Sequence, residues 1–212
     1  MLYTRGDRRI ICVDQHLRDD FVETHTDADR ITYVQADLAN REHYNKFDGK
    51  FDEVYVMAAI VGVGNVLKRP SVVVEVNTKI ILNTLDWMKV LEHGKMLFAS
   101  TSECYVGSVE RFGFPVPTDE SVPLCIEDIS HPRFTYAATK ILGESAAFAF
   151  AADCGFNLTV VRYHNVYGPD MGFNHVIPHL NQRFSDGETP FKVYGAEQTR
   201  AFCYIDDAVQ AS

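Results

Sequence analysis

A tyrosine and a lysine stand four residues apart in the stretch TYAATK, at Tyr136 and Lys140. On a helix this spacing places both side chains on one face. A free phenol has a pKa of about 10, and a nearby ammonium group favours the phenolate and lowers that pKa. Such a pair could take a proton from a substrate hydroxyl. The same spacing also arises by chance in a chain with 10 tyrosines, and the alternative is an exposed tyrosine and an exposed lysine.

A second candidate is the run of hydroxyl and acidic side chains from Ser100 to Glu103. The apolar segment KMLFAST (95–101) predicts a buried strand that ends in this run, and α/β sheets bind ligands at the carboxyl ends of their strands. The helix with Tyr136 follows, so Thr101 and Tyr136 could face one cleft. The alternative is a serine-rich turn that only caps the next element.

Two aspartates follow strands near the start of the chain. Asp14 ends the apolar run IICVD, where a carboxylate can accept both ribose hydroxyls of an adenosine and would repel a 2′-phosphate. Asp37, in QADL, has a similar place. The alternative for each is a solvated aspartate at the end of a strand.

These residues lie in a chain that alternates short β-rich runs with longer helical stretches. The predicted strands are 8–14, 31–37, 51–59, 95–101 and 157–163. Helices are predicted over about 70–93, with Gly94 as C-cap, and about 132–154, with Gly155 as C-cap. This alternation predicts an α/β fold with right-handed crossovers and a parallel sheet covered on both faces. Asn165 then joins Asp14, Asp37 and Thr101 near the carboxyl ends of strands.

Composition excludes several classes of protein. The net charge of −9 disfavours nucleic acid or an anionic membrane as the main partner. Five cysteines, with no Cys-x-x-Cys, indicate reduced thiols in the cytoplasm. No apolar run reaches the roughly 18 residues of a transmembrane helix, and the start of the chain lacks the features of a signal peptide. The sequence therefore predicts a cytoplasmic protein.

One part of a dinucleotide-binding sheet is missing from the sequence. Such a sheet normally opens with a strand, a glycine-rich turn and a helix before the strand that ends in an acidic residue. Here the strand ending at Asp14 comes almost at once, and the GVG at 62–64 lies after a later strand and lacks a third glycine. The last residues, DDAVQAS, look like the start of a helix. We expect an internal piece of a longer protein, or a start site assigned too late, and weak binding of NAD.

Taken in order, these segments resemble the extended short-chain dehydrogenase/reductase family, specifically its NAD-dependent nucleotide-sugar epimerases and dehydratases. ICVD resembles the adenosine-ribose strand, ADL the adenine contact, and VYVMAA the H-x-A-A segment, although Val56 and Met57 replace its polar start. STSECYVG resembles S-[ST]-x-x-x-Y-G with one residue inserted before Gly107, and YAATK is the Y-x-x-x-K pair. RYHNVYGP resembles R-x-x-N-x-Y-G-P, while HVIP, VYG and QTRAF resemble nucleotide and diphosphate contacts. The resemblance covers nearly the whole chain.

The resemblance implies roles for individual residues. The implied catalytic residues are Thr101, Glu103, Tyr136 and Lys140. The implied NAD-binding residues are Asp14, Asp37, Leu38, Ala58, Ala59, Asn77, Ser100, Tyr136, Lys140 and Tyr163. Asn77, in EVNT, matches an asparagine that helps to hold the active-site strand. The implied substrate-binding residues are Asn165, His175, Val176, Tyr194 and Arg200.

The resemblance also implies a mechanism. Tyr136, as phenolate, removes the proton of the sugar 4-hydroxyl while hydride passes from C4 to NAD⁺, and Thr101 donates to the same oxygen. Lys140 lowers the pKa of Tyr136 and holds the nicotinamide ribose. The 4-keto sugar then undergoes epimerisation, elimination or decarboxylation before hydride returns. The protein aims chemistry that the cofactor performs.

Which of these outcomes occurs stays open. The 4,6-dehydratases of the family carry Asp-Glu after the threonine, whereas Ser102 and Glu103 stand here. Thr-Ser-Glu is similar to uronic-acid decarboxylases and to some dehydratases of surface-sugar pathways, and simple 4-epimerases usually lack the glutamate. Glu103 could also be a plain loop residue.

The substrate residues have alternatives as well. Arg200 offers a planar fork for a diphosphate, or a surface salt bridge. Tyr194 could pack on the nucleotide base or in the core of a small lobe. His175 and His179 have the spacing of metal ligands but no third ligand with matching spacing, so we expect no metal.

The sequence thus predicts a Rossmann-like, doubly wound parallel α/β sheet, lacking its N-terminal strand and glycine-rich loop, with a small C-terminal substrate lobe. Residues 1–165 are expected to form a truncated NAD-binding domain with the catalytic residues, and 166–212 part of the substrate-binding lobe. A nucleotide-sugar substrate and a homodimer through the helices 70–93 and 132–154 are implied. The alternatives are a catalytically silent fragment, which the missing loop favours, and an NAD-sensing protein, which would not need Thr101, Tyr136 and Lys140 together.

Overall fold

The computed structural model describes residues 8–17, 30–47, 49–90, 94–172 and 175–212. The chain divides into two units, Met1–Arg162 and Tyr163–Ser212. The strands that begin in the first unit are β1 (Ile10–Asp14), β2 (Ile31–Gln35), β3 (Glu53–Val56), β4 (Lys95–Thr101) and β5 (Asn157–Tyr163). Its α-helices are α1 (Val63–Lys68), α2 (Pro70–Val90), α3 (Val106–Phe112) and α4 (Thr135–Cys154). Short 3₁₀ helices cover Arg41–Lys46, Ser102–Tyr105 and Pro132–Phe134.

The strands pair in parallel, as the buried apolar runs predict. β1 runs parallel to β2 from Ile10 opposite Ile31 to Asp14 opposite Gln35. β3 runs parallel to β4, which is the centre of a sheet of order β3–β4–β5. The predicted α/β arrangement is confirmed. The expectation of one continuous sheet is not met, because no hydrogen-bonded ladder within the described ranges joins β1–β2 to β3–β4–β5.

Other contacts hold the β1–β2 sheet in place. Arg8, just before β1, donates to the carboxylate of Glu53 at the start of β3 over 2.6 Å. The ring of Tyr44 packs against that of Trp87 of α2 at an interplanar angle of 51°, and the Tyr44 hydroxyl lies 2.7 Å from the hydroxyl of Thr84. An apolar cluster therefore fills the space between this sheet and α2 where a strand ladder does not.

The main core lies where α2 and α4 cover the sheet β3–β4–β5. The buried positions of α2 recur every three or four residues: Val73, Asn77, Ile80, Ile81, Thr84, Leu85 and Met88. This spacing turns one face of the helix to the core. In α4, Gly143 lets the helix approach β4, because a Cβ there would lie 2.5 Å from Cζ of the Phe98 ring. Close packing of α4 on β4 is what brings their functional side chains together.

The two predicted helix caps have different outcomes. Gly155 ends α4 in the left-handed conformation, with φ of 77°, and its N–H donates to the Ala151 carbonyl over 2.9 Å, as predicted. The Gly94 prediction is wrong. Its N–H donates to the carbonyl of Phe51 over 3.4 Å, not to a carbonyl of the helix. Gly94 therefore belongs to the segment that leads into the pairing of β4 with β3. Residues 91–93 lie outside the described residues.

The second unit holds β6 (Asn165–Tyr167), α5 (Val176–Ser185), β7 (Phe202–Tyr204) and α6 (Ile205–Ala211). β6 and β7 pair in parallel, with Tyr167 opposite Tyr204. The sequence did not predict this pair, because three-residue strands carry no readable alternation. The division falls after Arg162, three residues before the predicted boundary at 165. None of the helices in the described ranges is long and apolar enough to cross a membrane.

Candidate active site

The end of β4 lies against α4, which brings Thr101 and Tyr136 together. Thr101 is buried and Tyr136 is half-buried. Burial of the phenol, together with the charges of Glu103 and Cys104, raises the pKa of Tyr136 to about 12, and a side-chain hydrogen bond with Thr101 offsets part of that rise. The structure therefore joins the two residues that the sequence placed in one cleft, with the phenol protonated near neutral pH.

Lys140 lies one helical turn further along α4 and is only 4% exposed. Its ammonium donates to the Ala99 carbonyl of β4 over 2.7 Å, and its Nζ lies 5.0 Å from the ring centroid of Phe98 and 5.8 Å from that of Tyr136. Burial lowers the pKa of Lys140 to about 8. The alternative of two exposed side chains is excluded. The expectation that Lys140 lowers the pKa of Tyr136 is not met here, because burial of the phenol dominates and the ammonium bonds to Ala99.

Glu103 is paired with a residue that the sequence did not single out. One Nη of Arg133 donates to the Glu103 carboxylate over 2.8 Å, and both side chains are partly exposed. The Thr101 hydroxyl caps the short helix that carries Glu103 by accepting from its N–H over 3.3 Å. The sequence could have pointed to Arg133, because it precedes Tyr136 by three residues and residues with that spacing are neighbours on a helix.

A buried polar network lies behind these residues. The Ser100 hydroxyl donates to the carboxylate of Glu144, which is 4% exposed. Arg162 donates to both oxygens of Glu144 over 2.7 to 3.2 Å, and to the Tyr105 hydroxyl over 2.6 Å. The sequence analysis missed Glu144 and Arg162. The sequence could have pointed to Glu144, because it follows Lys140 by four residues, just as Lys140 follows Tyr136.

Asn77 ties the loop after β3 to both long helices. It is 6% exposed, and its side chain accepts from the N–H of Ile60 over 2.7 Å and donates to the carbonyl of Ile60 over 3.2 Å. Its Nδ2 also lies 3.4 Å from the hydroxyl oxygen of Thr139 on α4. Asn77 therefore positions the segment that begins with the half-buried Ala58 and Ala59.

Asp14 and Asp37 lie at the same edge of the β1–β2 sheet, because these strands are parallel neighbours. Both side chains are exposed. One oxygen of Asp14 accepts from the His16 N–H, and one oxygen of Asp37 accepts from the Ala39 N–H, each over 2.9 Å. Exposed carboxylates at adjacent strand ends can accept from sugar hydroxyls, so this edge fits the adenosine half of NAD. The carbonyl of Leu38 accepts from Asn83 over 3.1 Å.

An open cleft of about 460 Å³ adjoins this edge. It is lined by Asp37, Ala39, Asn40 and Arg41 on one side and by Glu75, Val76 and Lys79 of α2 on the other. The catalytic candidates Thr101, Tyr136 and Lys140 do not line it, so the cleft belongs to the sheet edge that carries Asp37.

The second unit places two of the predicted substrate residues close together. Asn165 donates to the Ala201 carbonyl over 2.9 Å, which brings it next to Arg200. The guanidinium of Arg200 is exposed and bonds to the Thr199 carbonyl and the Gln198 side chain over 2.8 and 2.9 Å. These local bonds hold the Arg200 fork at the surface.

The other predicted residues of this unit are exposed or near its end. Tyr194 is 81% exposed, which rules out a place in the core of the unit, and the Arg183 guanidinium lies 5.9 Å from its ring centroid. His175 is the residue before α5, and Val176 is its exposed first residue. The Tyr163 hydroxyl lies 2.5 Å from the Ser212 hydroxyl. Within the described ranges, no group of three or more His, Cys, Asp or Glu side chains could hold a metal ion.

Parallel strands, a Tyr-x-x-x-Lys helix packed on a threonine-ended strand and an acidic sheet edge are together typical of dinucleotide-binding α/β proteins. The model of the NAD dependent epimerase/dehydratase family matches residues 2–212, and the chain belongs to that family.

Among curated relatives, the chain is 32% identical over 186 residues to the UDP-N-acetyl-alpha-D-glucosaminuronate decarboxylase of Bacillus cytotoxicus, covering 86% of this chain and 55% of the relative. It is 33% identical over 161 residues to the UDP-glucuronate 4-epimerase of Thermodesulfobacterium geofontis, covering 74% of this chain and 45% of that protein. The chain thus spans about half the length of these relatives.

Solved structures of nucleotide-sugar 4-epimerases confirm the Rossmann-like fold. A UDP-galactose 4-epimerase superposes with a TM-score of 0.77 at 25% identity, covering 96% of this chain and 61% of that one. The UDP-glucuronic acid 4-epimerase of Bacillus cereus, solved with UDP-glucuronic acid and NAD, gives a TM-score of 0.80 at 21% identity, covering 99% of this chain and 65% of that one. At that identity the second likeness concerns the fold alone.

Proposed function

We propose that the protein acts on a nucleotide-linked uronic acid by transient oxidation at C4 of the sugar, as an NAD-dependent epimerase or decarboxylase. The observation that carries the proposal is the contact of Thr101 with Tyr136 beside the buried Lys140. The relatives named for glucuronate and N-acetylglucosaminuronate support the substrate class. The dehydratase branch has less support, because Ser102 stands where that branch carries an acid.

The residues of the chain would divide the work as follows. Asp14 would hold the adenosine ribose, with Asp37, Leu38, Ala58 and Ala59 around the adenine, while Asn77 and Ser100 position the surrounding backbone. Lys140 would hold the nicotinamide half. When bound, NAD⁺ would supply a hydride acceptor for C4 and a positive charge.

Proton transfer falls to Tyr136 and Thr101. Tyr136 would accept the proton of the C4 hydroxyl, while Thr101 donates to the same oxygen and steadies the developing charge. A phenol with a pKa of about 12 is a poor base at neutral pH. Tyr136 therefore needs added positive charge nearby before it can act, which would restrict proton removal to the loaded site. Glu103, which Arg133 holds by a hydrogen bond, would assist at C5.

The second unit would bind the nucleotide diphosphate. We assign the diphosphate to the exposed fork of Arg200, with Asn165 beside it. Tyr194 is free to stack on the base because most of its ring is exposed. His175 and Val176, at the start of α5, would complete this site.

The test is turnover with UDP-glucuronic acid and UDP-N-acetylglucosaminuronic acid in the presence of NAD⁺, with UDP-galactose and dTDP-glucose as neutral comparisons. NMR distinguishes a C4 epimer from a pentose left by loss of CO₂ or a product of water loss. We expect turnover of a uronic acid that Tyr136→Phe abolishes. Turnover of only the neutral sugars would refute the substrate class. NAD⁺ binding without any turnover would favour an NAD-sensing protein. Absence of NAD⁺ binding would favour a catalytically silent fragment.

We further propose a cytoplasmic homodimer that associates through α2 and α4. Both helices carry exposed apolar side chains, Val74 and Leu82 on α2 and Leu142 and Phe148 on α4. All five cysteines are free, which is consistent with a reducing compartment. Light scattering should give the mass of a dimer, and Leu142→Glu should give that of a monomer. A monomeric wild-type protein would contradict this assembly.

A further inference from the structure

Three side chains spaced by four residues along α4 bind three consecutive residues of β4. Tyr136 bonds with Thr101, Lys140 with the Ala99 carbonyl, and Glu144 with the Ser100 hydroxyl. The first two belong to the proposed chemistry. Glu144 lies two helical turns behind Tyr136 and is too deeply buried to serve as a surface charge, so its place in the same series calls for a different role.

Arg162 links Glu144 to residues on the far side of the turn after β4. Besides its bonds to Glu144, it donates to the Tyr105 hydroxyl over 2.6 Å and to the Glu120 carbonyl over 3.2 Å. Its guanidinium also lies 4.8 Å from the centroid of the Tyr105 ring. Ser100 and Tyr105 bracket the turn that carries Thr101 and Glu103. The Glu144–Arg162 pair therefore forms hydrogen bonds at both ends of this turn.

Stability alone is a weak reason for such a pair. Removing two charges from water costs several kcal/mol per ion, and well-packed apolar residues often replace a buried pair without loss. What apolar side chains cannot supply is the directional bonding of one arginine to a carboxylate, a phenol and a carbonyl. A displacement of about 1 Å in a reacting group can cost about 100-fold in rate.

We propose that Glu144 and Arg162 are positioning residues for the proposed reaction: together they hold the turn of Thr101 and Glu103 in register with Tyr136. This inference rests on the proposed function for its kinetic consequence, but the register itself is a property of the unliganded chain. Neither residue is assigned a contact with substrate.

Three variants test the pair by separate routes. Ser100→Ala removes the link from Glu144 to β4, Arg162→Lys keeps the charge but loses the fork, and Glu144→Gln keeps the shape but loses the charge. Each should lower kcat by about 100-fold while KM stays within about twofold, because the alignment matters most in the transition state. If Glu144→Gln does not fold, the other two variants decide.

A matched control exists at the opposite ends of the strands. Glu53, at the start of β3, has a side chain that is 16% exposed, and it accepts from Arg8 over 2.6 Å and from the Tyr55 hydroxyl over 3.0 Å. It thus shares the arginine and tyrosine partners of the network but lies away from Thr101. Glu53→Gln should leave kcat and KM unchanged.

Hydrogen exchange of the unliganded protein, followed by mass spectrometry, provides a readout that needs neither cofactor nor substrate. Ser100→Ala and Arg162→Lys should accelerate exchange between Ser100 and Tyr105 by about tenfold, with little change elsewhere, as expected for local opening. Uniform acceleration across the unit, or wild-type exchange in that segment, would overturn the proposal, and so would an unchanged kcat. If the wild-type chain shows no turnover, the proposed function fails while exchange still decides this inference.

Discussion

Replacing Lys140 by methionine measures what the buried ammonium costs the fold. The pKa of Lys140 falls from 10.5 to about 8, chiefly because burial disfavours the charged form. At about 1.4 kcal/mol for each pKa unit, that fall corresponds to about 3 kcal/mol of stability that the folded protein lacks while the lysine is charged. Methionine has a similar length and carries no charge, so it removes this cost and keeps most of the packing.

The sign of the pH dependence follows from linkage. A cationic group whose pKa is lower in the folded state contributes stability that is present above the unfolded pKa and is lost as the pH falls through the folded pKa. For Lys140, with pKa values of 10.5 unfolded and about 8 folded, the free energy of unfolding should rise by about 1 kcal/mol between about pH 7 and pH 9. Lys140→Met should lack this rise.

At about pH 7 the variant should be the more stable protein. The gain of up to about 3 kcal/mol is reduced by the lost hydrogen bond to the Ala99 carbonyl, worth about 1 kcal/mol, and by the lost cation–π contact with Phe98. We therefore expect Lys140→Met to be about 1 kcal/mol more stable and to lack the proposed activity, as is common for functional side chains held in a strained setting.

Urea unfolding, followed by the fluorescence of Trp87, measures these differences at each pH, since the chain has a single tryptophan. Lys89→Met is the control, because Lys89 is an exposed lysine in the last turn of α2. The comparison of wild type with variant cancels the ionisation of the other groups. A stability difference between wild type and Lys140→Met that does not change with pH would refute the reasoning.

Three further changes test the site and its packing. Glu103→Gln should lower the pKa of Tyr136, since the charge of Glu103 is one cause of its rise to about 12; a titration of tyrosinate absorbance measures this. Asn77→Ala should cost about 1–3 kcal/mol in urea unfolding, because it leaves buried backbone groups of the loop after β3 without their partner. Gly143→Ala should cost about 1–3 kcal/mol in the same assay, because its Cβ would meet the buried Phe98 ring at 2.5 Å.

Each of these changes has its own control. Subtracting the titration of Tyr136→Phe isolates the phenol, and an unchanged or higher pKa would contradict the first prediction. Asn83→Ala also removes an amide that bonds to loop carbonyls, but from a less buried place, so an equal loss there would contradict the second. Gly64→Ala meets nothing within 4 Å, so it should not destabilise the protein, and a tolerated Gly143→Ala would contradict the third.

Much of the first unit was predictable because its segments are long and their patterns are regular. Every predicted strand occurs, although β1, β2 and β3 are shorter than predicted. The α4 helix and its cap at Gly155 follow from local signals that need no partner. Gly94 carried the same local signal, and there the pairing of β4 with β3 decided its conformation instead.

In the candidate site, too, some features follow from the sequence and others only from the packed fold. By itself, the sequence determined which residue types are present and their spacing, and this was enough to place Thr101 at a strand end and Tyr136 and Lys140 on one helical face. Only the tertiary structure decided that Glu144 and Arg162, 18 residues apart, form a buried pair behind them. The same holds for the electrostatics, because burial is a property of the packed fold: it raises the pKa of Tyr136 to about 12 where spacing alone predicts a fall.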